Sequence, residues 1–186
     1  MGNRSKELVG AWIQAVGTTM SAVASTPMTA ENQNISPQFY EDFSNHLDLW
    51  GNVLQSTGNA LIADSEEGYS LSKVGNKVES TGNLVNVVGF LANVSEQLEI
   101  ELNIKGELIQ AVGGSLSLAD TLNEELTEDT FYDIYGSLLQ IIGNAMQNIA
   151  GIKELNASDS ERIDAVGGWS QAIGSILSLI ATIKSE

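Results

Sequence analysis

The single histidine is the first residue that could support chemistry. His46 lies in EDFSNHLDLW, four residues after Asp42, so on a helix the two side chains would share a face and could supply half of a metal site. A dinuclear metal site in a helical bundle needs two Glu-x-x-His motifs, and zinc needs further nitrogen or sulfur ligands. A chain with one histidine and no cysteine can supply neither the second Glu-x-x-His motif nor the further zinc ligands. We therefore expect His46 at the surface or partly buried beside a carboxylate, and we predict no metal site.

Serine and glycine are frequent, but their spacing matches no catalytic or phosphate-binding motif. No serine lies in a Gly-x-Ser-x-Gly elbow, and His46 would have to serve every triad. The doublets Gly113-Gly114 and Gly167-Gly168 lack a preceding strand and a following Lys-Ser or Lys-Thr, which argues against a phosphate loop. No acidic segment has the spacing of a calcium-binding EF-hand. We predict a non-enzyme with no catalytic residues, no cofactor-binding residues and no cofactor.

The remaining pattern is a repeat that must shape the fold. Glycine is followed four residues later by glutamine, once by glutamate, and seven residues later by a second glycine. The six copies are Gly10–Gln14–Gly17, Gly51–Gln55–Gly58, Gly75–Glu79–Gly82, Gly106–Gln110–Gly113, Gly136–Gln140–Gly143 and Gly167–Gln171–Gly174. The first glycines are 41, 24, 31, 30 and 31 residues apart, which leaves room for one helix and one turn in each period.

Each repeat predicts one helix. The segments lie near residues 4–25, 36–65, 69–95, 103–125, 128–155 and 159–185 of a single domain spanning residues 1–186. Helix starts are indicated by Ser36-Pro37, by Thr127 before two acidic residues, and by a capping box from Ser158 to Glu161. We predict an all-α fold, an up-and-down bundle of about six antiparallel helices with one Gly-x-x-x-Gln-x-x-Gly repeat per helix.

The residues around the motif divide each helix surface into three faces. The glycines and the glutamine share one narrow stripe. An apolar face lies on one side, with Val9, Ile13, Val16, Met20 and Val23 in the first copy and Tyr135, Leu139, Ile142, Met146 and Ile149 in the fifth. Small or polar residues such as Asn52 and Asn59 lie on the other side. Because this apolar width is typical of a core helix, we predict that the apolar face forms the core and the polar face meets water.

Twelve motif glycines inside helices require a compensating interaction. Each costs about 1 kcal/mol relative to alanine in a helix interior, so their sum of about 10 kcal/mol is comparable with the stability of a whole domain. Glycines seven residues apart leave a groove in which a neighbouring backbone gains dispersion contacts and Cα–H···O bonds. We predict tight antiparallel packing of consecutive helices along this groove, with glutamine hydrogen-bonding across it.

Trp12 and Trp169 occupy the same position, two residues after the first glycine, in the first and last copies. Two tryptophans could stack on a ligand. However, terminal repeats commonly differ from internal ones because they close the array. We therefore expect the two rings to cover the ends of the bundle.

The composition of the chain limits the classes of molecule that it could bind. The 186 residues are enough for one core, and 24 acidic against 8 basic residues give a net charge of −16. So acidic a chain repels phosphate groups, which argues against nucleic acid and makes a membrane an unlikely partner at neutral pH. Its 42% apolar content is too high for a disordered acidic tail. We expect the partner to be a second copy or another protein.

The location is predicted from the absence of cysteine and the character of the N-terminal segment. A cysteine-free chain fits a reducing cytoplasm, although leaderless export remains open. Arg4 and Lys6 precede an apolar stretch that loosely resembles a signal peptide. That stretch also contains a motif copy in register, which favours a structural repeat. No apolar run reaches the about 18 residues of a membrane span.

The recurring Gly-x-x-x-Gln-x-x-Gly, present over nearly the whole chain, resembles the glycine-rich helical repetitive proteins of Bacillus-type bacteria, a family of unknown function. The resemblance implies a helical repeat fold and no particular activity.

Three functions are compatible with these features. The first is a non-enzymatic structural or protein-interaction bundle. The second is a membrane-active protein of the glycine-zipper kind that inserts at low pH, when its carboxylates are neutralised; a polar back on every helix argues against it. The third is a small-molecule carrier with a pocket near Trp12 or Trp169.

Overall fold

The computed structural model describes residues 2–27 and 36–185, and the regular structure within these ranges is entirely helical. Six helices follow one another: α1 (Asn3–Ala24), α2 (Pro37–Ser65), α3 (Leu71–Leu91), α4 (Glu96–Thr121), α5 (Glu128–Leu155) and α6 (Glu161–Lys184). The predicted all-α class and the number of helices are confirmed for these residues.

Side-chain caps fix the start of several helices. The hydroxyl groups of Ser36 and Thr127 accept hydrogen bonds from the backbone amides of Phe39 and Thr130. Each bond satisfies an amide that has no partner within the helix. Pro37 follows Ser36 at the first helical position, where its missing N–H is not needed. Both starts agree with the sequence prediction.

Two predicted starts are wrong. The fourth helix begins at Glu96 rather than near residue 103, because Ser95 caps it and the acidic run continues as helix. Acidic side chains in the first turn favour the helix dipole, so this run is not a junction. The expected capping box before α6 is not formed: the N-cap residue is Ser160, and its side chain makes no capping bond.

The six helices close into a ring. Each helix packs against the helix before it and the helix after it, and α6 returns to pack against α1. Among the described residues, no helix backbone packs against one across the ring, although side chains such as Gln14 of α1 and Gln140 of α5 do meet there. The ring therefore leaves a central space between the helices, and the side chains that line it become the main structural question.

The motif glycines pack against one another within three hairpins, α1–α2, α3–α4 and α5–α6. A Cβ added to Gly10 would lie 2.8 Å from the carbonyl oxygen of Gly58, and a Cβ added to Gly58 would lie 2.6 Å from that of Gly10. All twelve motif glycines form such reciprocal pairs, with added-Cβ distances of 2.5–2.9 Å to the partner glycine carbonyl. The predicted tight antiparallel packing along the glycine stripe is confirmed.

The prediction of which face forms the core is wrong. On the expected core face of α1, Val9 and Val16 are 42% and 48% exposed, and on that of α5, Ile142 is 49% exposed. The expected water-facing residues are buried instead: Asn52, Asn59, Asn76, Asn83, Ser137 and Asn144. The buried apolar side chains are mostly alanines.

The reason for this inversion lies in the glycine stripe. Each stripe must face its partner helix because only glycine permits the close backbone contact. Once the stripe is fixed there, one flank of the helix faces the axis of the ring and the other faces outward. A helical wheel shows both flanks but does not show which of them faces the axis. Here the polar flank faces inward and the apolar flank outward.

Candidate functional site

The space on the axis of the ring forms two cavities, which together we call the lumen. The narrow cavity has a volume of about 110 Å³ and the wide cavity a volume of about 460 Å³. Side chains from all six helices line each cavity. The narrow cavity lies toward the C-terminal ends of α1, α3 and α5, and the wide cavity lies toward their N-terminal ends. The two cavities therefore lie toward opposite ends of the ring.

The repeat itself makes the lumen polar. The residue three positions before the first glycine is polar in every copy and lines a cavity in every copy. These residues are Glu7, Asp48, Ser72, Asn103, Asp133 and Asp164. The motif glutamine or glutamate lies seven positions, or two helical turns, after this residue. The two side chains therefore share a helix face and line the same cavity. Odd-numbered helices thus direct both residues to the wide cavity, and even-numbered helices direct both to the narrow cavity.

The motif glutamines hydrogen-bond across helix interfaces. In the α1–α2 hairpin, Gln55 Nε2 donates to Ser21 Oγ at 3.2 Å. Gln14 Nε2 on α1 donates to Gln140 Oε1 on α5 at 3.1 Å, so this bond joins two helices that are not neighbours in the ring. These bonds stabilise the polar interior, and the predicted bonding across the groove is confirmed for Gln55.

Glu107 is the best-connected carboxylate of the narrow cavity. It accepts hydrogen bonds from the side-chain amides of Asn86 at 2.9 Å, Gln110 at 3.5 Å and Gln171 at 3.4 Å. These donors come from α3, α4 and α6. The preceding residue is Gly106, and a Cβ there would collide with Asn86 Oδ1. The glycine therefore makes room for the amide that holds Glu107 in place.

Three more carboxylates line the narrow cavity. Asp164 accepts a hydrogen bond from Gln147 at 3.2 Å, and Asp48 accepts one from Asn52 at 3.2 Å. Glu154 is the third. The hydrogen bonds to Asp48, Glu107 and Asp164 come from neutral amides rather than from a cation. Burial raises the pKa of Asp48 to about 6, that of Asp164 to about 7 and that of Glu107 to about 8, so Glu107 is largely protonated at neutral pH.

The wide cavity is also acidic. Glu79 and Asp133 lie within it, and Asp133 accepts a hydrogen bond from Thr121 Oγ1 at 2.8 Å. Asp120 and Glu124 lie toward its mouth. Burial raises the pKa of Glu124 above its usual range, and the nearby carboxylates of Asp133 and Asp120 raise it further. Burial likewise raises the pKa of Glu79 to about 8, so this cavity groups carboxyl groups that ionise less readily than usual.

Basic side chains lie outside the two cavities. Among the described residues that line them, none is lysine, arginine or histidine. The ion pairs of the described chain are at the ends of the helices, where Lys6 pairs with Asp64 at 2.6 Å and Lys184 with Glu128 at 2.9 Å. Arg4 pairs with Glu7 at 3.4 Å at the edge of the wide cavity. Both cavities are thus lined by carboxylates, amides and hydroxyl groups.

The outer surface has the opposite character, and we call its apolar zone the outer belt. Each helix contains a stretch without any charged residue, and these stretches are residues 8–23, 49–63, 80–91, 108–119, 134–152 and 165–183. Their outward side chains are mainly Val, Leu, Ile and Trp, many of them about half exposed. Every helix contributes to the outer belt. In the α3–α4 hairpin, however, Gly82 packs against Gly106 and Gly75 against Gly113, so the uncharged stretches of these two helices lie at different heights along the ring.

The sequence-based candidates lie outside the lumen. His46 and Asp42 are both exposed on α2, and no group of three or more His, Cys, Asp or Glu in the described ranges could hold a metal ion. Trp12 and Trp169 are 53% and 43% exposed on the outer surface. Trp12 lies in the middle of α1, so the expectation that it covers an end of the bundle is wrong. Neither ring lines the two cavities of the lumen.

Sequence reasoning missed the carboxylates of the lumen. Their signal was available, because a polar residue occurs three positions before the first glycine in all six copies. Nothing in the sequence assigned a role to Asp48, Asp133 or Asp164 singly, and the structure places all three in the walls of the cavities.

Comparison with known families identifies the family of this chain. The family model described as "Family of unknown function (DUF6944)" matches residues 5–179, so the chain belongs to this family. No curated protein and no solved structure matches it. The expected membership of a family of unknown function is confirmed, whereas the resemblance to glycine-rich proteins of Bacillus-type bacteria stays a prediction.

Proposed function

We propose that this member of a family of unknown function is a membrane-embedded helical barrel whose lumen takes up small polar solutes. One observation carries the proposal: polar side chains face the axis and apolar side chains face outward. In water the hydrophobic effect drives the reverse arrangement. In a lipid bilayer an apolar exterior costs nothing, and a polar interior is stabilised by hydrogen bonds within it.

The extent of the outer belt favours lipid over a protein partner. Exposed apolar patches on soluble monomers rarely exceed a few hundred Å², whereas this belt runs over all six helices. A second copy could cover one or two helices but would leave the others in water. Lipid chains can cover the whole circumference at once.

The dimensions of the outer belt are compatible with a bilayer. The uncharged stretches contain 12 to 19 residues, which correspond to about 18–28 Å of helix, and the longest of them, on α5 and α6, approach the about 30 Å hydrocarbon core. Exposed aromatic residues flank the belt at both ends. Phe39 and Phe43 lie at the start of α2, and Phe131 and Tyr135 lie at the start of α5. Aromatic rings favour the membrane–water interface.

Two further features fit this environment. Glycine-mediated helix contacts are common between membrane helices, where small residues allow close backbone approach. A closed ring of helices also keeps the backbone hydrogen bonds within the protein, as a bilayer requires. By length and composition α6 alone among the described helices could cross a membrane. The inner faces of the other five are polar, which lowers their average hydropathy.

The proposal departs from the expectation that net negative charge keeps the chain away from membranes. The acidic residues lie in the lumen and at the helix ends, so they do not oppose contact between the outer belt and lipid. The objection that every helix has a polar back also no longer holds, because those backs face the axis. The proposal keeps the expectation that the protein is not an enzyme, since the one histidine lies outside both cavities.

Flotation with vesicles tests the proposal. The full chain is purified in detergent, reconstituted into neutral phosphatidylcholine vesicles at pH 7.4 and washed with alkaline carbonate before centrifugation on a density gradient. We expect the protein to float with the vesicles after the wash. Protein that stays soluble without detergent and remains at the bottom of the gradient would contradict the proposal and return the chain to the group of soluble interaction bundles. Repeating the experiment at pH 5 separates constitutive insertion from insertion that needs acid.

A further inference from the structure

We infer that the wide cavity binds a small uncharged polyol at its inner end; this inference rests on the proposed membrane barrel and names the solute that its lumen takes up. The inner end is formed by side chains of the odd-numbered helices. Gln14 of α1, Glu79 of α3 and Gln140 of α5 hold the same motif position, and Asn76 and Ser137 lie three residues before the last two of them. We call these five residues the inner site.

Three polar side chains of the inner site have unused hydrogen-bonding atoms. Gln14, Asn76 and Ser137 are 6%, 8% and 7% exposed, so each is more than nine-tenths buried. The amide of Gln14 donates to Gln140, and that of Asn76 donates to the backbone oxygen of Ser72. Among the described residues nothing donates to the side-chain oxygens of Gln14 and Asn76, and the hydroxyl group of Ser137 has no partner. Because buried polar atoms are costly to leave unpaired, these atoms point to a bound solute.

These atoms differ from the unpaired oxygens that are sealed between helices. Asn59 Oδ1 and Asn83 Oδ1 are fully enclosed, whereas Gln14, Asn76 and Ser137 line the wide cavity and their free atoms are not enclosed. The volume of this cavity, about 460 Å³, lies within the range of about 300–1,000 Å³ for small-molecule sites. A solute inside it therefore reaches all three atoms.

The other side of the wide cavity has an apolar part. Ala11 of α1, Ile62 of α2 and Ala181 of α6 line it, and these helices are consecutive in the closed ring. Asn76 and Ser137 lie on α3 and α5, on the other side of the ring. A polyol matches both sides, because its C–H groups can pack against alanine and isoleucine while its hydroxyl groups meet the polar side chains.

The chemistry of the inner site favours hydroxyl groups over ions. A hydroxyl group both donates and accepts, so one solute can donate to Gln14 Oε1 and Asn76 Oδ1 and also pair with Ser137. An anion would find no basic side chain among the described residues of the wall. A tightly held cation needs several oxygen ligands, and no group of three or more Asp, Glu, His or Cys in the described ranges could hold one.

Equilibrium dialysis tests the inference. The full chain in detergent is dialysed against radiolabelled xylitol, and flotation of the same preparation with neutral vesicles reports insertion separately. We expect saturable binding that an excess of KCl does not displace. Ser137→Ala should weaken it about fivefold, because one hydrogen bond to the solute is lost, and should leave the unfolding midpoint unchanged, because the hydroxyl group has no described partner. Ser170→Ala, on the exposed surface of α6, is the matched control and should bind as the wild type does.

Two substitutions at Glu79 separate hydrogen bonding from charge. Glutamine holds this position in the other five copies of the motif, so Glu79→Gln keeps a hydrogen-bonding group and should bind xylitol within about twofold of the wild type. Glu79→Ala removes the group and should weaken binding about fivefold. Loss of binding in both variants, or displacement of xylitol by KCl, would show that the site recognises charge and would overturn the inference.

Failure of the inference and failure of the proposed function give different results. Protein that floats with vesicles but shows no saturable xylitol binding would overturn the inference and leave the membrane barrel standing. Equal binding by wild type, Ser137→Ala and Glu79→Ala would do the same. Protein that does not float would overturn the proposed function and the uptake of polyols with it. If Glu79→Ala does not fold, judged by circular dichroism, Ser137→Ala decides.

Discussion

Two residues on α5 summarise the difference between the outside and the inside of this ring. Ile142 is 49% exposed on the outer belt, and Asn144, two positions later, is 5% exposed on the inner side. In a water-soluble bundle a half-exposed isoleucine beside a buried asparagine would be an isolated exception. Here the first and last repeats show the same arrangement, with Val16 and Ile173 about half exposed and Thr18 and Ser175 buried, so it reflects the surroundings for which the sequence is built.

The comparison also explains the role of glycine. The glycine stripe lies on the boundary between the outer and inner faces, and it holds each hairpin together without a large apolar side chain. Stability that a soluble bundle would obtain from its core comes here from close backbone contact and from hydrogen bonds inside the ring. The following substitutions test the boundary, the outside, the inside and an exposed ion pair of the ring.

The largest effect is expected at the boundary. In Gly143→Ala the added Cβ would lie 2.6 Å from the carbonyl oxygen of Gly167, and backbone cannot move aside easily. We expect a loss of about 3 kcal/mol in the free energy of unfolding in detergent solution. Gly89→Ala is the control, because its Cβ would meet nothing closer than 3.3 Å. If both variants lose equal stability, the glycine pairs do not hold the hairpins together.

The second effect is expected on the outside. Ile142→Lys places a charge at the centre of the outer belt, where a cationic side chain costs about 2.5 kcal/mol in a bilayer. We expect less of this variant to float with vesicles. Leu126→Lys is the control, because Leu126 is 62% exposed in the loop before α5. Equal flotation of wild type and both variants would argue against contact between the outer belt and lipid.

A smaller effect is expected on the inside. Gln55→Ala removes a 4% exposed side chain that donates to Ser21 Oγ. We expect a loss of about 1–2 kcal/mol in the free energy of unfolding, since a buried acceptor loses its donor. Gln97→Ala, on the exposed first turn of α4, provides the comparison and should leave the unfolding midpoint unchanged. An unchanged midpoint in Gln55→Ala would show that the polar interior adds no stability.

The smallest effect is expected at a solvent-exposed ion pair on the surface of α4. Lys105 lies 3.8 Å from Glu101 on the surface of α4, and both side chains are accessible to solvent. Lys105→Ala should change the free energy of unfolding by less than about 0.5 kcal/mol. A larger loss would mean that charges outside the lumen and the outer belt also stabilise the ring.

Much of the fold was predictable because the repeat constrains it. The spacing of Gly10, Gly17 and their counterparts predicts six helices, and the cost of glycine in a helix predicts close antiparallel packing. Both predictions agree with the structure. These features depend on local geometry and on contacts between consecutive helices.

The lumen was not predictable by the same means. A helical wheel places Val16 and Asn52 on opposite flanks of the glycine stripe, but the assignment of one flank to the core assumed that the chain folds in water. The acidic residues were also ambiguous, because Asp164 lies in the first turn of α6, where interaction with the helix dipole is the ordinary explanation. Only closure of the ring brings them together around one axis.

Tryptophan fluorescence tests the central claim most directly. Trp12, Trp50 and Trp169 are 53%, 57% and 43% exposed on the outer surface, and the sequence contains three tryptophans. If lipid surrounds the ring, phosphatidylcholine with brominated acyl chains will quench their emission strongly and aqueous acrylamide will quench it weakly. Strong quenching by acrylamide with no effect of the brominated lipid would contradict the claim that the apolar side of this protein faces a membrane.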